Sequence, residues 1–250
     1  MHIAILVTNT DVSAFARRHP GDGEKFAQLL KPYRKHWKFT AFSVKDDVFP
    51  DSLAEFDGAI ITGSPASVHD DAPWIPRLLD LIRQAADSGF PLFGACFGHQ
   101  AIAMALGGAV GKNPGGWVFG RVDTAITSPA PWLEGAPAPL SLYAAHSEQV
   151  THLPDGARVL GGTPDCPIGS FALGDRIWTT QYHPEMTPAF ISELVEEYDG
   201  KLPDGVIAAA RASLHRQAEQ EKISRWIIAF FEHAASRHRS RTANKSIAVT

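Results

Sequence analysis

Pro91-Leu92-Phe93-Gly94-Ala95-Cys96-Phe97-Gly98-His99-Gln100 decides how the rest of the chain is read. An apolar run meets Gly94, then a cysteine, then Gly98. A helix-like run, Gln100 to Leu106, follows and ends at Gly107-Gly108. Strand, sharp turn and helix in that order make a nucleophile elbow with cysteine at its tip. Backbone packs against both sides of so tight a turn, and glycines two residues before and after Cys96 remove the Cβ atoms that would collide. The turn puts Cys96 at a helix N-terminus, where unpaired N–H groups and the helix dipole favour a thiolate. The N–H of Phe97 is aimed at an oxyanion formed on a carbonyl under attack. A buried cysteine before a Gly-rich loop is the plainer alternative.

Working outward, the first hundred residues read strand-helix-strand-strand-helix-strand. Ile3 to Val7 and Ala59 to Thr62 are short apolar runs, as in strands covered on both faces. Lys38 to Val44 alternates as a strand. Gly23 to His36 carries Phe26, Leu29, Leu30 and Tyr33 at helical spacing. Trp74 to Ser88 is an amphipathic helix with Gly89 just past its end. This order predicts an α/β fold, with a mostly parallel central sheet flanked by helices. Ligands of such sheets bind beyond the carboxyl ends of the strands, where Gly63 and Cys96 fall.

From Gly111 to Gln181 the chain is rich in Gly and Pro. Short β-like runs at 122–126, 140–144, 158–160, 168–173 and 177–181 predict a smaller antiparallel portion, with Gly174-Asp175 as a tight turn. Thr187-Pro188 opens a helix. A longer helical stretch is expected from Asp204 to Ala235. Residues 1–235 are expected to form one domain. Residues 236–250, with Arg237, Arg239, Arg241 and Lys245 and no acid, are expected to be a disordered basic tail.

Composition bounds the function. The 250 residues are 44% hydrophobic and 20% charged with a net charge of −4, ordinary for a soluble globular protein and unlike a nucleic-acid binder. No apolar run approaches the ~18 residues that span a bilayer. Met1 to Val7 lacks a basic leader segment and reads as a first strand. Two cysteines, Cys96 and Cys166, make no disulfide framework and no metal spacing, and they suit a reducing cytoplasm. Cys166, between Asp165 and Pro167, is expected in a loop with no base beside it.

A thiol nucleophile needs a base, and the base an orienting group. Gln181-Tyr182-His183-Pro184-Glu185 follows the last β-like run. In extended chain His183 and Glu185 point to the same side, so the carboxylate can hold the tautomer of the imidazole. Taken alone, a His-Pro-Glu triplet also fits a surface loop.

Gly94-Ala-Cys96-Phe-Gly98-His-Gln100 together with His183-Pro-Glu185 resembles the class I (triad) glutamine amidotransferases, over most of residues 1–235. The loop Thr62-Gly63-Ser64-Pro65-Ala-Ser67 is also similar to theirs. The resemblance implies Cys96 as nucleophile, His183 as base and acid, Glu185 as orienter, and the N–H groups of Gly63 and Phe97 as oxyanion donors. It places Gln100 near bound glutamine. Asn113 to Gly120 is similar to a loop of the GMP-synthase-like branch. Ala145-His146-Ser147-Glu148-Gln-Val150 resembles that branch's His-x-Asp-x-Val segment, with Glu148 in place of Asp, and so puts Ser147 and Glu148 near the α-groups of the substrate. The activity implied is hydrolysis of the γ-amide of glutamine, or of a γ-glutamyl compound, through a Cys96 thioester. No cofactor and no metal are expected. No phosphate loop is legible, so ammonia would serve a separate synthetase. A free-standing γ-glutamyl peptidase and a catalytically silent binding module on the same scaffold are the alternatives. His99 is expected to pack rather than react, and Trp117 either to pack or to touch substrate.

Overall fold

The computed structural model describes residues 1–135 and 139–247, with side chains described through residue 236. The strands are β1 (His2–Val7), β2 (Lys38–Ser43), β3 (Gly58–Ile61), β4 (Leu92–Ala95), β5 (Ala109–Lys112), β6 (Val118–Ile126), β7 (Leu140–His146), β8 (Glu148–His152), β9 (Ala157–Thr163), β10 (Cys166–Leu173) and β11 (Ile177–Thr180). The α-helices are α1 (Asp22–Leu30), α2 (Trp74–Ser88), α3 (Phe97–Ala105), α4 (Pro188–Glu197), α5 (Asp204–Ser213) and α6 (Gln220–Ile247).

The main sheet runs β2-β1-β3-β4-β11-β10-β9-β6-β7. From β2 to β11 every pairing is parallel, and from β11 to β7 every pairing is antiparallel. The expected α/β class therefore holds, with the antiparallel portion drawn from the middle of the chain. β5 and β8 form a separate antiparallel ribbon, which the Gly-rich reading of residues 111–120 did not anticipate.

Alternation along the parallel strands feeds two cores. Ile3, Ile5, Ile60 and Phe93 face α1 and α6, where they meet Phe26, Leu30, Ile227 and Phe231. Ala4, Leu6, Ile61 and Leu92 face α2 and α3, where they meet Leu78, Ile82 and Ile102. Because side chains of successive residues leave opposite faces, a run such as Ile3 to Leu6 must be apolar throughout. A third cluster packs α4 and α5 onto β6 and β7 through Ile191, Val195, Ile207, Phe119 and Tyr143.

Three expectations change. The helical stretch from Asp204 to Ala235 is two helices, interrupted at residues 214–219. Tertiary bonds hold the break. The Arg121 N–H donates to Ser213 Oγ at 2.8 Å, and Glu219 exchanges bonds with Ser141, its N–H donating to the carbonyl and its carboxylate accepting from the N–H, both at 2.9 Å. The basic tail is helical as far as Ile247, since the chain has no Gly or Pro beyond Gly205 to stop α6 and is supplied with Ala, Arg and Lys. Residues 248–250 of that expected tail lie outside the described residues. Cys166 is not in a loop but opens β10, fully buried. No helix among the described residues is long and apolar enough to cross a membrane.

The glycines of the elbow carry the closest backbone contact near the site. A Cβ on Gly98 would lie 2.3 Å from the Ile61 carbonyl oxygen, and one on Gly94 would lie 2.6 Å from that of Gly98. Gly205, in the first turn of α5, has nothing within 4 Å of such a Cβ. Gly98→Ala should therefore cost about 2–3 kcal/mol, while Gly205→Ala should be neutral or stabilising by up to about 1 kcal/mol. Calorimetric unfolding of the two variants checks the pair.

Candidate active site

β4 lies between β3 and β11, and all three end at the same edge. This neighbourhood assembles the site. Cys96 caps α3 with φ 49° and ψ −105°, one of two positive-φ residues other than glycine among the described residues. That conformation costs of order 1–3 kcal/mol and needs support from its surroundings. The Cys96 N–H donates to the Thr180 carbonyl at 2.9 Å, and the Gly98 N–H donates to that of Thr62 at 3.1 Å. The strand on each side thus holds one end of the turn.

His183 follows β11 in a bent segment, not a strand, anchored by its N–H to the Tyr143 carbonyl at 2.8 Å. Its Nδ1 lies 2.8 Å from Glu185 Oε1, with both side chains buried. Gln220, at the start of α6, donates to the carbonyls of Pro184 and Met186 at 3.2 and 2.6 Å, which fixes the turn carrying Glu185. His183 Nε2 has no hydrogen-bond partner. A Cβ placed on Gly63 would lie 2.8 Å from the imidazole Cε1 and 3.4 Å from Cys96 Cβ, so these three residues meet at one point. Burial alone would lower the pKa of His183, but the adjacent Cys96 and Glu185 outweigh it and raise the pKa well above the ordinary value. The geometry suits a thiolate–imidazolium pair.

The amides of Gly63 and Phe97 are free of hydrogen bonds among the described residues. The Thr62 carbonyl accepts from the Gly98 N–H and from Thr8 Oγ1 at 2.9 Å. In a planar trans peptide this turns the Gly63 N–H the opposite way. Thiol, imidazole, carboxylate and two unpaired amides together can do acyl transfer.

The other expected residues lie on the far side of the thiol. Gln100 Nε2 donates to the Glu148 carbonyl at 3.0 Å and to Gln181 Oε1 at 3.2 Å. Gln181 Nε2 in turn donates to Cys96 Sγ at 3.7 Å. The Glu148 carboxylate accepts from Ser67 Oγ at 2.8 Å. Ser147 sits at the bend between β7 and β8, its carbonyl accepting from the Asn113 N–H at 2.8 Å, with no side-chain bond. Gln181 was quoted in the sequence without a role. Its signal was alternation, which puts residues 181 and 183 on one side of the chain.

On the His183 side a cleft of about 450 Å³ opens, bounded by Gly63, His183 and Glu185. Trp117 lines it, which resolves the two readings of that residue in favour of the cleft. Phe15, Phe119, Phe190 and Tyr198 complete an aromatic wall. No sequence signal linked these four, which lie on separate segments. Among the described residues no group of three His, Cys, Asp or Glu side chains could hold a metal.

The remaining buried titratable groups are held neutral. Burial pushes the Cys166 thiol up to about 12. His99, bonded through Nδ1 to Thr179 Oγ1 at 2.8 Å, is lowered by burial to about 3, and His146 is lowered by burial to about 4. Both histidines are depressed relative to the unfolded chain, so their neutral burial is fully accommodated above about pH 6.5 and penalised as the pH falls below it. Stability should drop between pH 6.5 and 4 by about 1 kcal/mol per pH unit for each of the two histidines. Urea unfolding across that range, with histidine ring shifts followed by NMR, should show His99 and His146 neutral in the folded state while His183 stays charged at neutral pH.

Comparison with known proteins agrees with this geometry. The family model for glutamine amidotransferase class-I matches residues 28–193. γ-Glutamyl peptidase 3 of Arabidopsis thaliana is 28% identical over 229 residues, covering 88% of this chain and 91% of the relative. The glutamine-hydrolysing GMP synthase of Streptomyces coelicolor is 32% identical over 181 residues, which cover 70% of this chain but 33% of the synthase. Among solved structures, a glutamine amidotransferase from Methylobacillus flagellatus superposes with a TM-score of 0.68 at 27% identity, covering 94% of this chain and 92% of the other. One from Thermotoga maritima reaches a TM-score of 0.75 at 18% identity, over 94% and 97% of the two chains, and shares the fold. The chain belongs to the class I glutamine amidotransferase family.

Proposed function

We propose that this chain hydrolyses the γ-amide of glutamine or of a γ-glutamyl compound through a thioester on Cys96. The observation that carries the reading is the convergence of Cys96, the His183–Glu185 pair and the two unpaired amides at one point. The Cys96 sulfur attacks the γ-carbonyl carbon, and the N–H groups of Gly63 and Phe97 hold the resulting oxyanion. His183 gives its proton to the leaving nitrogen, the C–N bond breaks and the amine departs. The same imidazole then takes a proton from water, which attacks the thioester carbon and releases glutamate and the thiol. Glu185 keeps Nδ1 protonated and steadies the imidazolium. Gln100, Ser147 and Glu148, on the far side of the thiol, hold the α-amino and α-carboxyl groups.

The likeness to a GMP synthase supports a second version, in which the ammonia released from glutamine passes to a separate synthetase. That version differs in the acceptor and not in the chemistry at Cys96.

A diazo-ketone analogue of glutamine should label Cys96 and leave Cys166 untouched, as read by peptide mass mapping. The label on Cys166, or no label at all, would sink the assignment, and no label would favour a silent module. Cys96→Ala should abolish glutamate release. His183→Ala should lower kcat by roughly 10³-fold or more, since both base and acid are lost, and Glu185→Ala by less. Equal, near-wild-type rates in the two would show the triad to be misplaced.

A further inference from the structure

A leaving group of NH₃ needs no room beyond His183, yet about 450 Å³ of cleft lies there. That volume falls in the range of small-molecule sites. The cleft is bounded by the group that protonates the leaving nitrogen, whereas Gln100, Ser147, Glu148 and Ser67 do not line it. The glutamyl arm and the leaving amine therefore occupy opposite sides of the thiol.

The cleft's walls are flat and apolar. Trp117, Phe119 and Tyr198 form one cluster, with ring centroids 5.6 to 6.5 Å apart. Phe15 and Phe190 form a second, 5.5 Å apart. Such rings take another ring between or against them. The two cations of the lining are already engaged. Lys25 lies 2.9 Å from Asp22 and 3.8 Å above the Phe190 ring, and Lys45 lies 2.9 Å from Asp46. Asp11, whose carboxylate accepts from the Ser13 N–H at 2.8 Å, adds negative charge. A carboxylate on the leaving group would find no unengaged cation among the described lining residues.

We propose that the substrate is a γ-glutamyl amide of an aromatic amine that carries no carboxylate, with its ring held between Trp117, Tyr198 and Phe190. This rests on the γ-amide chemistry assigned to Cys96. The Cys96 S–C bond forms as the C–N bond breaks, and the nitrogen leaves with the His183 proton as a free aromatic amine. Water then displaces the sulfur, giving glutamate. The aromatic wall binds the amine before and after cleavage, so its contribution is read in substrate selectivity.

The full-length protein is given three substrates with primary-alkylamine or amino-acid leaving groups: γ-glutamyl-2-phenylethylamide, γ-glutamylethylamide and γ-glutamylphenylalanine. Glutamate release is followed for each. The expected result is a kcat/KM for the phenylethylamide at least tenfold above both others. Trp117→Ala should cut the phenylethylamide-to-ethylamide ratio by tenfold or more, and Trp117→Phe should keep most of it. A wild-type ratio within twofold of one, or a ratio that Trp117→Ala leaves intact, overturns the proposal. Phenylalanine cleaved as well as phenylethylamine overturns the exclusion of a carboxylate. Binding of 2-phenylethylamine itself to Cys96→Ala protein, read by Trp fluorescence, separates this inference from the chemistry beneath it. Saturable binding that Trp117→Ala weakens supports the cleft assignment even if no substrate turns over. Absence of binding overturns it even if glutamine is hydrolysed.

Discussion

The close approach of α3 to the ends of β3 and β4 is the constraint on which the site depends. Gly98 lies so near Ile61 that a single added carbon would sit 2.3 Å from a carbonyl oxygen. That contact sets the angle at which α3 leaves the sheet, and so the positive-φ turn at Cys96. The parallel pairing of β4 with β3 and with β11 then does the rest. It brings the amide of Gly63 from one neighbour and the imidazole of His183 from the other to the sulfur between them. No catalytic element reaches across a flexible loop, and the peptide planes on either side are pinned by Thr8, Thr62 and Thr180.

The two flanks of the thiol differ in chemistry. On one side lie amides, hydroxyls and a carboxylate, linked through Gln100, Gln181, Ser67 and Glu148. On the other lie rings and two cations already engaged by carboxylates. A polar array of fixed geometry suits a constant part of a substrate, since misplaced polar groups are costly to leave unpaired. An apolar wall suits a variable part, since area matters more than direction. Charge near the imidazole follows the same division. His183 is raised by its two ionic neighbours, while His99 and His146, buried close by without such partners, are held neutral.

Much of this was legible in the chain. The elbow showed because two glycines flank a cysteine at the end of an apolar run, and only a close backbone approach demands both. His183 and Glu185 showed because a two-residue spacing puts side chains on one side. Strands β1, β3 and β4 showed because burial on both faces leaves them wholly apolar. What escaped were features made by distant partners. The interruption between α5 and α6 depends on Ser141 and Arg121, which no helical periodicity reports. The ribbon of β5 and β8 is short and bears glycine and lysine, so neither strand carries a pattern. The aromatic wall joins Phe15, Trp117, Phe190 and Tyr198, which only the folded sheet edge brings together. Gln181 lay in plain view, but its bond to the thiol needs the pairing of β11 with β4.

The clamp of Gln220 on the carbonyls beside Glu185 has a consequence in time. The thiol and its strained turn belong to the first hundred residues, the imidazole comes much later, and the residue that steadies the imidazole's partner comes later still. A chain emerging from its N-terminus therefore carries the sulfur well before anything can hold a proton beside it. β4 also waits for β11 on one of its edges. Reactivity is thus the last property the chain acquires, and the nucleophile passes through synthesis unarmed.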